Sequence, residues 1–161
     1  MAKWIINPGM ENYTQDLEKL LANSEEMIKR SIYPGAAKVI EAAKREAKAL
    51  PVQHHVFNKH GLQVGITAIQ KQGIIDGLGL AKMRNDGGFI NTKLGIDGYN
   101  AMKTKKYPGG QPNALIARAI ESGTSFRAKN GFISRATRSA KTAAEEAMRK
   151  QYDEEVKKVM R

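Results

Sequence analysis

Residues Ile96–Ala136 read IDGYNAMKTKKYPGGQPNALIARAIESGTSFRAKNGFISRA, and their reading decides how the rest must fold. The run Tyr107-Pro108-Gly109-Gly110-Gln111-Pro112-Asn113 excludes a helix. Pro108 and Pro112 each lack a backbone N–H and push the preceding residue out of the α region, while two glycines permit positive φ. From Asn113 the pattern turns helical through Ala114, Leu115, Ala117, Arg118, Ile120 and Glu121. Asn113 is the expected cap of this short helix, about residues 113–122, and Gly123 the expected left-handed stop. Thr124 and Ser125 resume extended chain, and Phe132 opens another helical pattern. Punctuation this dense describes a shaped joint between packed elements rather than a catalytic pocket.

Downstream of the joint, a helix is expected over about 130–158, with Phe132, Ala136, Ala140, Ala143, Ala147 and Met148 in one stripe. Its length would be roughly 40 Å. The outer end, residues 149–161, places Asp153, Glu154 and Glu155 before Lys157 and Lys158 and is expected to project beyond the domain. Upstream, Leu78–Arg84 and Phe89–Ile96 alternate apolar and polar residues around Asn85-Asp86-Gly87-Gly88, a strong hairpin signal over about 78–96. Leu78, Leu80, Met83, Ile90, Leu94 and Ile96 are its expected buried set. A slip in parity between Leu80 and Met83 predicts a bulge. Residues 66–76 allow a short helix with Gly73 as its weak point.

Two helices are expected nearer the N-terminus. One, about 12–30, carries Tyr13, Leu17, Leu20, Leu21, Met27 and Ile28 at helical spacing. The other, about 34–50, begins at Pro34 and is striped by Val39, Ile40, Ala43, Ala47 and Leu50. Residues 1–11 have no period and read as an arm, either flexible or docked on a partner. The elements add up to one α+β domain, 1–161, in which a small antiparallel sheet is flanked by helices.

A 161-residue chain buries about 68–70% of its unfolded surface as one domain. No apolar run approaches the roughly 20 residues of a membrane span, and Asn7, Pro8 and Gly9 cut short any leader-like segment. The absence of cysteine removes disulfides, thiolate nucleophiles and Cys-based zinc sites, and suits a reducing cytoplasm. Net charge is +11, spread over everything beyond the first helix. Such a field favours acidic partners or nucleic acid.

Chemistry-bearing motifs are scarce. Gly109-Gly110 lacks P-loop spacing, and Gly77-x-Gly79 has no third glycine opening a helix. His54, His55 and His60 have no interleaved ligand of another type, so a polar loop is expected there rather than a metal site. Asp97, Glu121 and the histidines are the only plausible acid–base groups, and no spacing pairs them. No enzyme, cofactor or metal is expected. The basic cluster of Lys103, Lys105, Lys106, Arg118, Arg127, Lys129, Arg135 and Arg138, interleaved with Tyr99, Tyr107 and Phe126, fits two uses. It matches a phosphate-tracking surface with stacking rings, and equally the rim of a protein interface.

With these residues in view, the chain resembles the phage neck, or tail-completion, proteins founded on the gene-ten product of coliphage Hong Kong 97. The general signature corresponds to Ala117, Glu121, Gly123-Thr124-Ser125, Phe132 and Ala136. A block typical of contractile-tail phages and defective prophages is similar to Gly98-Tyr99-Asn100, Tyr107-Pro108, Gly110-Gln111-Pro112-Asn113 and Ile116-Ala117-Arg118. The likeness covers roughly residues 60–161. It departs at Gly131 and Ser134, where the family usually has proline, which implies a looser start to the last helix. The resemblance implies an α+β virion protein, assembled in the bacterial host cytoplasm, that forms a ring, six-fold in expectation, at the head–tail junction. Its partners would be further copies, connector proteins, and tail or tail-terminator proteins, with non-specific DNA contact in the channel. Lys103, Lys105, Lys106, Tyr107, Gln111, Asn113, Arg118, Arg127 and Tyr152 are the interface candidates. Tyr99, Pro108, Pro112, Glu121, Gly123, Thr124, Phe132 and Ala136 would shape the motif. A basic nucleic-acid-binding module is the alternative.

Overall fold

The computed structural model describes residues 8–52 and 57–160. Its longest element is a single helix, α1 (Pro8–Lys48), which runs unbroken through Pro34. The two helices expected at 12–30 and 34–50 are therefore one, and residues 8–11 of the expected arm begin it. Residues 1–7 lie outside the described residues. Proline inside a helix removes one hydrogen bond and crowds the carbonyl four residues back, at about 3 kcal/mol. Packing outweighs that cost here: Ala36, Ala42, Ala43 and Ala47 of α1 are buried, and the helix lies along α4 (Phe132–Val159).

The pair is antiparallel. Arg135 Nε meets Glu46 Oε2 at 3.0 Å, and Arg30 Nη1 meets Glu155 Oε2 at 3.3 Å, so α4 spans both sides of Pro34. Gly35 allows the close approach: a Cβ there would collide with Met148 Cγ and lie 2.8 Å from the Ala144 carbonyl oxygen. On α4 the buried side chains are Phe132, Ala136, Ala140, Ala144 and Glu155. The stripe keeps a four-residue step to Ala144, and Ala143 faces water. The end of α4, expected to project, is pinned instead. Glu155 is only 5% exposed and accepts hydrogen bonds from Lys158, Gln151 and Arg30.

Helix α2 (Ala68–Gly77) opens with a capping box: Thr67 Oγ1 accepts from Gln70 N, and Gln70 Oε1 accepts from Thr67 N. The hairpin follows in two pieces. Strand β1 (Leu78–Leu80) pairs with β4 (Leu94–Ile96), and β2 (Arg84–Asp86) with β3 (Phe89–Asn91), both antiparallel. Leu80 faces Leu94, yet Arg84 faces Asn91, so three residues on one arm oppose two on the other. That extra residue is the bulge that the parity slip predicts. Leu78 is buried and Leu80, Met83, Ile90, Leu94 and Ile96 are half-buried.

Two-residue strands β5 (Tyr99–Asn100) and β6 (Gln111–Pro112) close the base of the central loop and lead into α3 (Asn113–Ser122). The core joins α1, α2, β1, α3 and α4 through Ala43, Ala47, Leu50, Ile66, Ile74, Leu78, Ala117, Ile120, Phe132 and Ala136. The fold is α+β: among the described residues there are four helices with small two-stranded antiparallel sheets. Among the described residues no helix is long and apolar enough to cross a membrane.

Candidate subunit-interface site

The central loop is fastened from inside by side-chain amides. Asn113 does not cap α3; Pro112 holds the cap position without a side-chain bond. The buried Asn113 amide reaches back instead, Nδ2 donating to the Asp97 carbonyl at 3.0 Å and Oδ1 accepting from Asn100 Nδ2 at 3.3 Å. Asn100 Oδ1 accepts from Met102 N at 3.0 Å. Gln70, buried on α2, donates through Nε2 to Gln111 Oε1 at 2.8 Å. Buried amides left unpaired are costly, so this chain of bonds sets the path of the loop. Gly73 is where α2 makes room for it: a Cβ would collide with Asn113 Oδ1. The expected weak point is thus a contact point.

Two interface candidates are thereby corrected. Asn113 is buried, and Gln111 is half-buried with its amide oxygen committed to Gln70. Arg127 is a third. Its guanidinium is buried, donating to the Gly65 carbonyl at 2.8 Å and to Gln63 Oε1 at 3.1 Å. Burial pulls its pKa below the usual arginine value. Arg135 is likewise engaged, with Glu46 and with Asn130 Oδ1. The basic cluster that a sequence reading draws as one patch is in part internal bracing.

What remains outside is the tip of the loop. Lys103, Lys105, Lys106, Pro108 and Gly109 are exposed. Half-buried Tyr107 exchanges backbone bonds with Thr104, at 3.0 and 3.1 Å, and Lys106 Nζ stands 5.6 Å from its ring centre. Tyr99 is 72% exposed beside them in sequence. On α3 a shallow groove brings exposed Arg118 together with Leu115, Ser122 and Thr124. Tyr152 is exposed on α4.

The signature residues assemble more tightly. Phe132 and Ala136 are wholly buried and Ala117 nearly so. Gly123 adopts φ 76°, and a Cβ there would press on Lys129 N at 3.0 Å. Thr124 N donates to Arg127 O at 2.9 Å, closing the turn. Glu121 then does what no residue local to α4 does. Its carboxylate accepts from Ile133 N at 2.8 Å, from Ser134 N at 3.1 Å, and from the Ser134 hydroxyl. Gly131, at the cap position in a left-handed conformation, supplies no side-chain bond. The start of α4 is therefore clamped, not loosened, and Ser134 contributes a hydroxyl where proline has none.

Sequence reasoning missed Gln70 and Asn100 as organisers. The Thr67-x-x-Gln70 spacing was the available signal for the first, and nothing local marks the second. His54 and His55 lie outside the described residues, and His60 is exposed with its backbone N–H on Asn58. Among the described residues no three His, Cys, Asp or Glu side chains converge as metal ligands do. Comparison of the chain with protein-family models, with curated proteins and with solved structures finds no match.

Proposed function

We propose that the chain is a structural ring subunit in the neck of a tailed phage or of a phage-derived tail particle, joining head or connector to tail. The observation that carries the reading is the clamp of Glu121 on the start of α4. The residues on which the resemblance rests, from Ala117 to Ala136, are engaged as one rigid joint. A signature used for shape suits a protein that works through its outline, stacking on copies of itself and on unlike subunits. The exposed loop tip at Lys103–Gly109, and Arg118 and Tyr152, are the surfaces offered to those partners. Heterologous contacts of this kind close rings.

The test is presence and consequence. Purified particles should contain the chain at the junction, seen by mass spectrometry and by labelled antibody under the electron microscope. Deleting its gene should leave heads and tails unjoined. Absence from finished particles would end the reading.

The exposed lysines beside Tyr99 favour a second reading, a nucleic-acid-binding module. It expects DNA affinity that falls linearly with salt on logarithmic axes. A ring lining a DNA channel would bind weakly by comparison and would sediment as an oligomer.

A further inference from the structure

Helix α1 is much longer than its partner. Arg30 stands opposite Glu155, and α4 ends four residues later at Val159. The first turns of α1, residues 8 to about 25, thus extend about 27 Å past the end of α4, with Glu25 hydrogen-bonded to Asn85 of the hairpin. The apolar spacing does not stop where α4 stops. Leu17, Leu20, Ser24, Met27 and Ser31 keep steps of three and four along one face, the seam spacing of paired helices. Met27 and Ser31 are buried, whereas Tyr13, Leu17 and Leu21 are exposed, Leu21 at 78%. A helix face of this kind is unstable in water unless something covers it.

Its charge identifies the cover. Residues 12–26 carry four acidic side chains and one basic, while residues 27–161 carry 25 basic and 11 acidic. The stub is thus opposite in net charge to the rest of its own chain, while within the helix Asp16 pairs with Lys19, and Glu25 and Glu26 with Lys29. A candidate receptor exists: a largely apolar groove of about 520 Å³ between α1 and α4, lined by Val39, Ile133 and Met148, with Arg138, Lys141 and Glu145 on it and Lys141 Nζ 3.9 Å from Glu145 Oε1. We infer that the N-terminal stub of α1 in one copy lies in the α1–α4 groove of the next, with Tyr13, Leu17 and Leu21 inward and Asp16 and Glu18 toward Arg138 and Lys141. The contact is head-to-tail, using two different surfaces of each copy, which closes into a ring when the rotation permits. The inference rests on the ring-subunit reading only for the expectation that copies meet.

The chain has no cysteine, so Leu21→Cys combined with Thr137→Cys reports the contact directly in the full-length protein. Under mild oxidation the double variant should form a ladder of covalent oligomers, and each single variant a dimer at most. A double variant that cross-links no further than the singles overturns the contact. Light scattering supplies the second measurement. Leu17→Glu/Leu21→Glu and Arg138→Glu/Lys141→Glu change exposed positions, so each should fold yet fail to self-associate. Mixed in equal amounts, they should give heterodimers, because one intact stub then meets one intact groove. Wild-type size for both variants, or a mixture that stays monomeric with unchanged circular dichroism, overturns the inference. If the wild-type chain never self-associates but the stub variants are lost from particles, the stub serves an unlike subunit. Self-pairing is then wrong and the neck reading stands. A ladder from a chain absent from finished particles supports the contact and removes the neck reading.

Discussion

The Glu121 carboxylate lies 2.8 Å from the backbone N–H of Ile133, so the last turn of α3 caps the first turn of α4 across the intervening loop. A helix start carries unsatisfied donors and the positive end of the dipole, and an anion held there answers both.

Removing that anion should therefore cost stability rather than chemistry. Glu121→Ala is expected to lower unfolding stability by about 1–2 kcal/mol, and Glu121→Gln by about half as much. Urea midpoints would show it. Equal midpoints for Glu121→Ala and the wild type would mean the clamp contributes nothing.

Gly73→Ala offers a sign test. Alanine favours an isolated helix over glycine by about 1 kcal/mol. Here the new methyl meets Asn113 Oδ1 and comes within 2.8 Å of Asn100 Cβ, both on the buried amide chain. Overpacking of this kind costs about 1–3 kcal/mol. The variant should be less stable than the wild type, by thermal melting, and the loss should shrink when Asn113→Ala is added.

Arg127 separates bracing from surface charge. Arg127→Lys cannot reach both the Gly65 carbonyl and Gln63 with one ammonium, and should destabilise by about 1–3 kcal/mol. On the nucleic-acid-binding reading, salt-dependent DNA binding by the folded fraction should be unchanged. Lys105→Ala/Lys106→Ala, at exposed positions, should leave the melting temperature alone and flatten the salt slope. The reverse pattern would show that the buried arginine had been misplaced.

Acid should release the far end of α4 first. Lys158, then Arg30 and Gln151, hydrogen-bond the Glu155 carboxylate and hold its pKa below the ordinary 4.5. A carboxylate depressed by folding contributes stability fully above about pH 4.5 and loses it as pH falls through the lower folded value. Amide exchange in residues 150–159 should therefore accelerate with acidification below that point, beyond its ordinary pH dependence. Glu155→Gln should show fast exchange there at neutral pH and little further change. Protection that ignores pH in the wild type would exclude the link.

Much of this fold was legible because local chemistry and global packing agreed. Pro112, Asn113 and Gly123 bounded α3, Gly87-Gly88 bent the hairpin, and parity along Leu80–Met83 predicted the bulge. Pro34 misled because local propensity was outweighed by an alanine-lined face, with Gly35 beside it, pressed on α4. Asn113 misled in the other direction: a good capping residue was claimed by a tertiary partner, Asn100, thirteen positions away. The role of Glu121 was invisible for the same reason. A sequence shows a carboxylate near the end of one helix, and only the fold shows the second helix start placed against it. The basic cluster could be counted but not sorted, since exposure of Lys105 and burial of Arg127 depend on contacts with distant residues such as Gly65.

Pro34 leaves one rung of α1 unbonded, and α4 bears on that helix both before and after the gap, at Arg30 and at Glu46. The longer helix is in effect splinted. Stripping the last turn or two from α4 would leave the alanine-lined root of α1 docked and turn Pro34 into a hinge. The front half would then swing as a lever, and whatever the tip grips would fix its angle.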